Sequence, residues 1–161
     1  MTTLSFIREY RPPKKLRALF IAHYAPLLLI ILIGPLSWIH GVWQLPLKFF
    51  ISVIIGLIIF FIGTLIYFKW SYFWQKTYKG QLVTGGIFQY IRHPHYLSLL
   101  IIGIGLSLFF YSYIALFIAI IAIPIMICSI IDEERLLIKQ YGKEYKDYMK
   151  KVPWRVIPKL F

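Results

Sequence analysis

The chain has 161 residues, of which 60% are hydrophobic, 19% aromatic and only 15% charged, and it carries a formal net charge of +12. A soluble domain usually holds about 25% charged residues, so a water-soluble globule is excluded and an integral membrane protein is implied. The basic surplus is no nucleic-acid signal: seventeen of the eighteen Lys and Arg lie on one side of the apolar segments, and only Lys48 lies on the other.

Taken in chain order, Arg8, Arg11, Lys14, Lys15 and Arg17 precede the first apolar stretch, and Pro12-Pro13 marks off a short interfacial segment. Residues 19–39 form a first span of about twenty uncharged residues, long enough to cross hydrocarbon. Pro26 and Pro35 lie inside it and predict a kink rather than a break. The segment is too long for a signal peptide, and Pro35-Leu36-Ser37-Trp38 is no small-residue cleavage site. Residues 40–46 make a short outer connection, and residues 49–68 form the second span.

Aromatics from Tyr67 to Trp74 form a headgroup-level belt. The stretch 75–91, punctuated by Gly80, Gly85 and Gly86, reads as a loop whose backbone can approach another group closely. An uncharged run from Leu97 to Ile131 is nearly double length. Its centre, Phe109-Phe110-Tyr111-Ser112-Tyr113, divides it into a hairpin of two short spans, 97–110 and 114–131. Gly103 with Ser107, and Ala115 with Ala119, are small-residue pairs that let such helices pack closely. Cys128, the single cysteine, reads as a packing residue.

The tail, 132–161, continues the fourth helix. Leu137, Tyr141, Tyr145, Tyr148 and Val152 recur at helical spacing on one face, with lysines on another; Gly142 bends or breaks it. This is a basic amphipathic helix at the membrane surface. The reading is therefore one all-α domain, 1–161: a bundle of about four transmembrane helices with loop 69–96, tail 132–161 and both termini on the cytoplasmic side. Anionic headgroups are the natural partners of most of the lysines.

Two groups carry the chemistry. Arg92-His93-Pro94-His95-Tyr96 opens the third helix, with Pro94 suited to the first turn; a helix N-terminus beside Arg92 suits a carboxylate or phosphate. Asp132, Glu133 and Glu134, half of the six acidic residues, close the fourth span. The hairpin returns both groups to one membrane face, so a single zwitterionic ligand can meet both. No metal site is assigned.

The segment from Leu82 to Tyr96, with Glu133-Glu134-Arg135, Tyr141-Gly142-Lys143-Glu144-Tyr145 and Val152-Pro153, closely resembles the motif of the isoprenylcysteine carboxyl methyltransferases. Integral-membrane phospholipid methyltransferases belong to the same superfamily. The resemblance implies S-adenosylmethionine as methyl donor, S-adenosylhomocysteine as product, and a lipophilic or lipidated acceptor, with carboxyl O-methylation favoured. Carried over residue by residue, it assigns donor binding to Gly85, Tyr90, Arg92, His93, Pro94, Tyr96, Glu133 and Glu134. Glu134 or His93 takes a proton should the acceptor be an amine, and Arg155 orients an anionic acceptor. Ser98 stands where many members have glycine. Membrane sterol reductases, which use NADPH, share part of this pattern and supply the alternative class; a non-catalytic headgroup-binding protein is the third.

Overall fold

The computed structural model describes residues 14–160, with side chains described from His23 onward. The interfacial segment before Pro13 lies outside the described residues, as do the side chains of Lys14, Lys15 and Arg17. Among the described residues five α-helices follow one another: α1 Lys14–His40, α2 Phe49–Thr77, α3 Pro94–Phe109, α4 Tyr113–Tyr141 and α5 Lys143–Lys151. A 3₁₀ turn, Gly86–Gln89, precedes α3.

Residues 23–40, α2 and α4 are each long and apolar enough to cross a membrane, and α3 is a shorter apolar helix. Its 16 residues rise about 24 Å at 1.5 Å per residue, short of the roughly 30 Å of bilayer hydrocarbon. Phe50, Ile54, Phe61, Leu65 and Phe68 of α2 are exposed on the outside of the bundle. An outer face of that composition is stable against lipid and not against water. Cys128 belongs to this exposed surface, so the packing role expected of it is replaced by a lipid-facing position.

The helices alternate in direction. The tightest union is α2 against α3, and glycine is the reason. A methyl group built onto Gly56 would collide with backbone atoms of Leu108 and Phe109, and one on Gly105 with the backbone of Phe60. Gly63 likewise sits against the backbone of Ile102. Gly103 faces Ile30 and Ala119 with ordinary room, so this small-residue position of α3 does meet its counterpart on α4.

At the end of the bundle away from the ion pairs, the turn between α3 and α4 is held by side chain and backbone together. Ser112 caps α4 by accepting from the Ala115 N–H at 3.2 Å, and accepts from the Ser37 hydroxyl at 2.8 Å. Capping of this kind satisfies donors that the first helical turn leaves orphaned. Leu45 N–H donates to Tyr111 O, and Tyr113 N–H to Trp43 O.

At the other end α2 runs on to Thr77, beyond the expected boundary at Phe68, because nothing before Gly80 breaks the helix. Pro26 and Pro35 are accommodated within a continuous α1. Gly142, at φ +57°, ends α4 and turns the chain into α5. This is a conformation that residues other than glycine seldom adopt. Tyr145, Tyr148 and Val152 thereby pack on Val83 and Phe88, with Trp70, Phe73 and Trp74 of α2 around them.

Candidate active site

Arg92 lies just before α3 and is 6% exposed. Its Nε and Nη2 donate to Glu134 Oε1 at 2.9 and 2.6 Å, and its Nη1 donates to Val152 O at 2.6 Å. The other carboxylate oxygen of Glu134 accepts from Arg155 Nε at 2.9 Å. Two backbone bonds tie the same elements together: Arg92 N–H donates to Trp154 O and His93 N–H to Arg155 O. The tail after α5 is thus a strap across the start of α3. Pro153 suits it to that role, since it restrains the preceding backbone toward extended geometry, and beyond Trp154 the chain bends and then turns at residues 158–160.

His93 stands between two carboxylates, with Nε2 3.3 Å from Glu134 Oε1 and Nδ1 3.5 Å from Glu133 Oε2. Burial alone would lower its pKa. The hydrogen bonds and charges of Glu133 and Glu134 outweigh that and hold it above the ordinary value. His93 is the residue before the first turn of α3 but makes no side-chain cap there; its ring is committed to the glutamates.

A cleft of about 410 Å³, its open mouth included, lies beside this cluster. Arg92, His93 and Glu133 supply its charged wall, and Trp74, Phe88 and Tyr141 are among its aromatic walls. Tyr145 and Tyr148, both on α5, also line it, and burial raises the pKa of both phenols, so both are neutral hydrogen-bond donors. Tyr148 donates to Phe88 O at 2.7 Å.

A second, apolar crevice, open to the outside, lies between α1, α3 and α4, lined by Pro26, Ile30, Leu99, Gly103 and Met126, with His23 as its polar residue. His23 Nε2 is 2.9 Å from the Tyr96 hydroxyl, and the two rings meet edge to face at 4.5 Å. Tyr96 in turn packs against Met126 and against the ring of His93 at 5.7 Å. The His23–Tyr96 pair therefore stands between the apolar crevice and the charged cleft. His95 points elsewhere, its ring tilted against Trp70 at 4.3 Å between centroids, with Nε2 3.3 Å from the Tyr24 hydroxyl.

Of the residues singled out in the sequence, the fold gathers Arg92, His93, Tyr96, Glu133, Glu134 and Arg155 at one end of the bundle. Pro94 is fully buried at the first turn of α3. Two others stand apart. Tyr90 is 70% exposed, and Gly85 and Gly86 abut the ring of Phe73, so the close approach their backbone allows is to the protein itself. Tyr145 and Trp74 were visible only as members of an amphipathic face and an aromatic belt. His23 carried no local signal at all; its place follows from α1 packing against α3.

The phospholipid methyltransferase family matches residues 47–144. A Protein-S-isoprenylcysteine O-methyltransferase of Schizosaccharomyces pombe is 33% identical over 73 residues, 45% of this chain and 31% of that protein. A Delta(14)-sterol reductase of Mus musculus is 32% identical over 88 residues, 50% of this chain and 20% of that one. The matched segments are thus about a third and a fifth of these relatives' own lengths.

Proposed function

The chain belongs to the phospholipid methyltransferase family, and from that premise we propose that it is a membrane methyltransferase. Its donor is S-adenosylmethionine and its acceptor a lipid-like or lipid-attached molecule. The observation that carries the donor is the cleft wall, where the His93 ring and the Glu133 carboxylate stand side by side among aromatic rings. A ligand with an ammonium and a carboxylate at one end and a purine at the other matches that arrangement. The buried Tyr145 hydroxyl, which has no partner among the described residues, fits it as well.

Glu133 would hold the ammonium, His93 the carboxylate, and Trp74, Phe88 and Tyr141 the flat base. When bound, the donor supplies an electrophilic methyl group on sulfur. The chain's own contribution is alignment and exclusion of water, the effects that dominate a displacement of this kind. Glu134 holds the site together: both its oxygens are engaged by guanidinium groups, and His93 adds a third contact. A carboxylate so bound is a poor proton acceptor.

The apolar crevice at His23 and Met126 suits the hydrocarbon part of the acceptor, arriving sideways from the bilayer. Arg155, whose side chain is 32% exposed, is placed to meet an anionic head, which supports carboxyl O-methylation, a reaction that needs no general base. The similarity to the S. pombe enzyme supports the same acceptor class. We read residues 1–161 as one domain, with four crossings and the site on the cytoplasmic face. A cysteine placed at Lys79 should then be labelled only from the cytoplasmic side, and labelling from outside would reverse the orientation.

Equilibrium binding of S-adenosylmethionine and of NADPH to the purified protein, with Glu133→Gln alongside, tests the donor. Binding of S-adenosylmethionine weakened at least tenfold in the variant is the expected result. NADPH binding without S-adenosylmethionine binding would move the protein to the reductase class.

A further inference from the structure

Tyr145 is 1% exposed, yet its hydroxyl has no hydrogen-bond partner among the described residues. Its neighbour one turn along, Tyr148, shows what this environment ordinarily provides, since that hydroxyl is bonded to Phe88 O at 2.7 Å. Both tyrosines line the charged cleft together with Arg92, His93 and Glu133. A buried hydroxyl without a partner is destabilising, and phenylalanine would fill the same space without that cost. Packing therefore does not explain the oxygen.

The side chains around it narrow what the oxygen is for. Arg92, the obvious cation for a ligand carboxylate, already spends three N–H groups on Glu134 and Val152. Both Glu133 and Glu134 lie close enough to act on the Tyr145 phenol electrostatically, as does Arg92, so the hydroxyl stands at the charged end of the cleft. The phenol is buried and neutral, and thus a donor. We propose that Tyr145 is a ligand-recognition residue whose O–H donates to the carboxylate at the amino-acid end of the methyl donor.

This rests on the donor assignment above and adds to it a residue that lies just beyond the family-matched segment, 47–144. It also accounts for Gly142. By turning the chain at φ +57°, Gly142 brings α5 back so that Tyr145 faces the cleft and not solvent. Direct hydrogen bonding to an ionised group is worth more than an ordinary one, which makes the effect measurable.

The test compares wild type, Tyr145→Phe and Tyr148→Phe by thermal unfolding and by calorimetric binding of S-adenosylhomocysteine and of its decarboxylated analogue. Tyr145→Phe is expected to raise the melting temperature of the ligand-free protein by about 2–4 °C. It should also weaken S-adenosylhomocysteine about tenfold while leaving the decarboxylated analogue unaffected. Tyr148→Phe, which loses a bond to Phe88, should lower the melting temperature. Unchanged affinity in Tyr145→Phe, an equal loss with both ligands, or a fall in its melting temperature would overturn the proposal. Should the wild type itself bind no S-adenosylhomocysteine, the donor assignment fails before Tyr145 is reached.

Discussion

Arg92 and Glu134, 42 positions apart in the chain, meet in the interior at 2.6 Å, with a second bond from Arg92 Nε to the same oxygen at 2.9 Å. Their side chains are 3% and 5% exposed. Burying two charges is costly unless the remaining donors and acceptors are also met, and here they are: Val152 O takes one guanidinium N–H, and Arg155 takes the second carboxylate oxygen. The pair thus joins the start of α3, the end of α4 and the tail into one unit that shapes the cleft.

Removing Glu134 leaves Arg92 buried without a counter-charge. Glu134→Gln is expected to cost about 3–5 kcal/mol, the range for breaking a buried ion pair from one side. Unfolding in mixed micelles measures it, and a loss under about 1 kcal/mol would show that the pair is not the joint described.

Arg155 bonds the same carboxylate from the half-exposed strap, so Arg155→Ala should destabilise far less, by about 1 kcal/mol. If the guanidinium orients an anionic acceptor, the variant raises the acceptor KM about tenfold and leaves donor affinity unchanged. Equal loss of donor affinity would assign Arg155 to the cleft instead.

His93 sets a pH dependence. Its folded pKa lies above the ordinary 6.5, because Glu133 and Glu134 outweigh the opposing effect of burial. Protonation therefore favours the folded state. The stabilisation is fully present below pH 6.5 and is lost as pH rises through the folded pKa. Melting temperature should fall over that window in wild type, and the slope should flatten in His93→Gln. An unchanged slope in the variant would place the titrating group elsewhere.

The union of α2 and α3 rests on glycine. Gly105→Ala, whose methyl group would meet the Phe60 backbone, is expected to cost about 1–3 kcal/mol, as overpacking does. Gly103→Ala, which has ordinary room beside Ile30 and Ala119, should be nearly neutral. Similar losses in the two variants would mean that the helices give way more readily than close packing allows.

Composition and charge made the helical membrane bundle legible, because a run of apolar residues without charge has few other stable places. The hairpin turn was legible too: Tyr111 and Ser112 interrupt an otherwise lipid-compatible stretch, and Ser112 proved to cap α4. The extension of α2 to Thr77 was not, since aromatic and basic residues at an interface are equally compatible with helix and loop. Nor was the choice of Gly105 over Gly103 for the tight contact. Both glycines sit on one helix, and only the rotation of α3 against α2 decides which faces the partner backbone.

By itself the sequence determined that Arg92, His93, Glu133 and Glu134 would gather at one end of the bundle, because helices that cross hydrocarbon return their polar ends to its surfaces. Only the tertiary structure decided how they divide the work. Glu134 is enclosed by Arg92 and Arg155, while Glu133 stays at the cleft with His93. Neighbours on a helix point about 100° apart, so adjacent identical residues take opposite roles once a partner helix and a strap are packed against them. The same holds for Tyr145 and Tyr148. Spacing placed both on one face, and the packing of α5 on Phe88 paired one hydroxyl and left the other without a partner among the described residues.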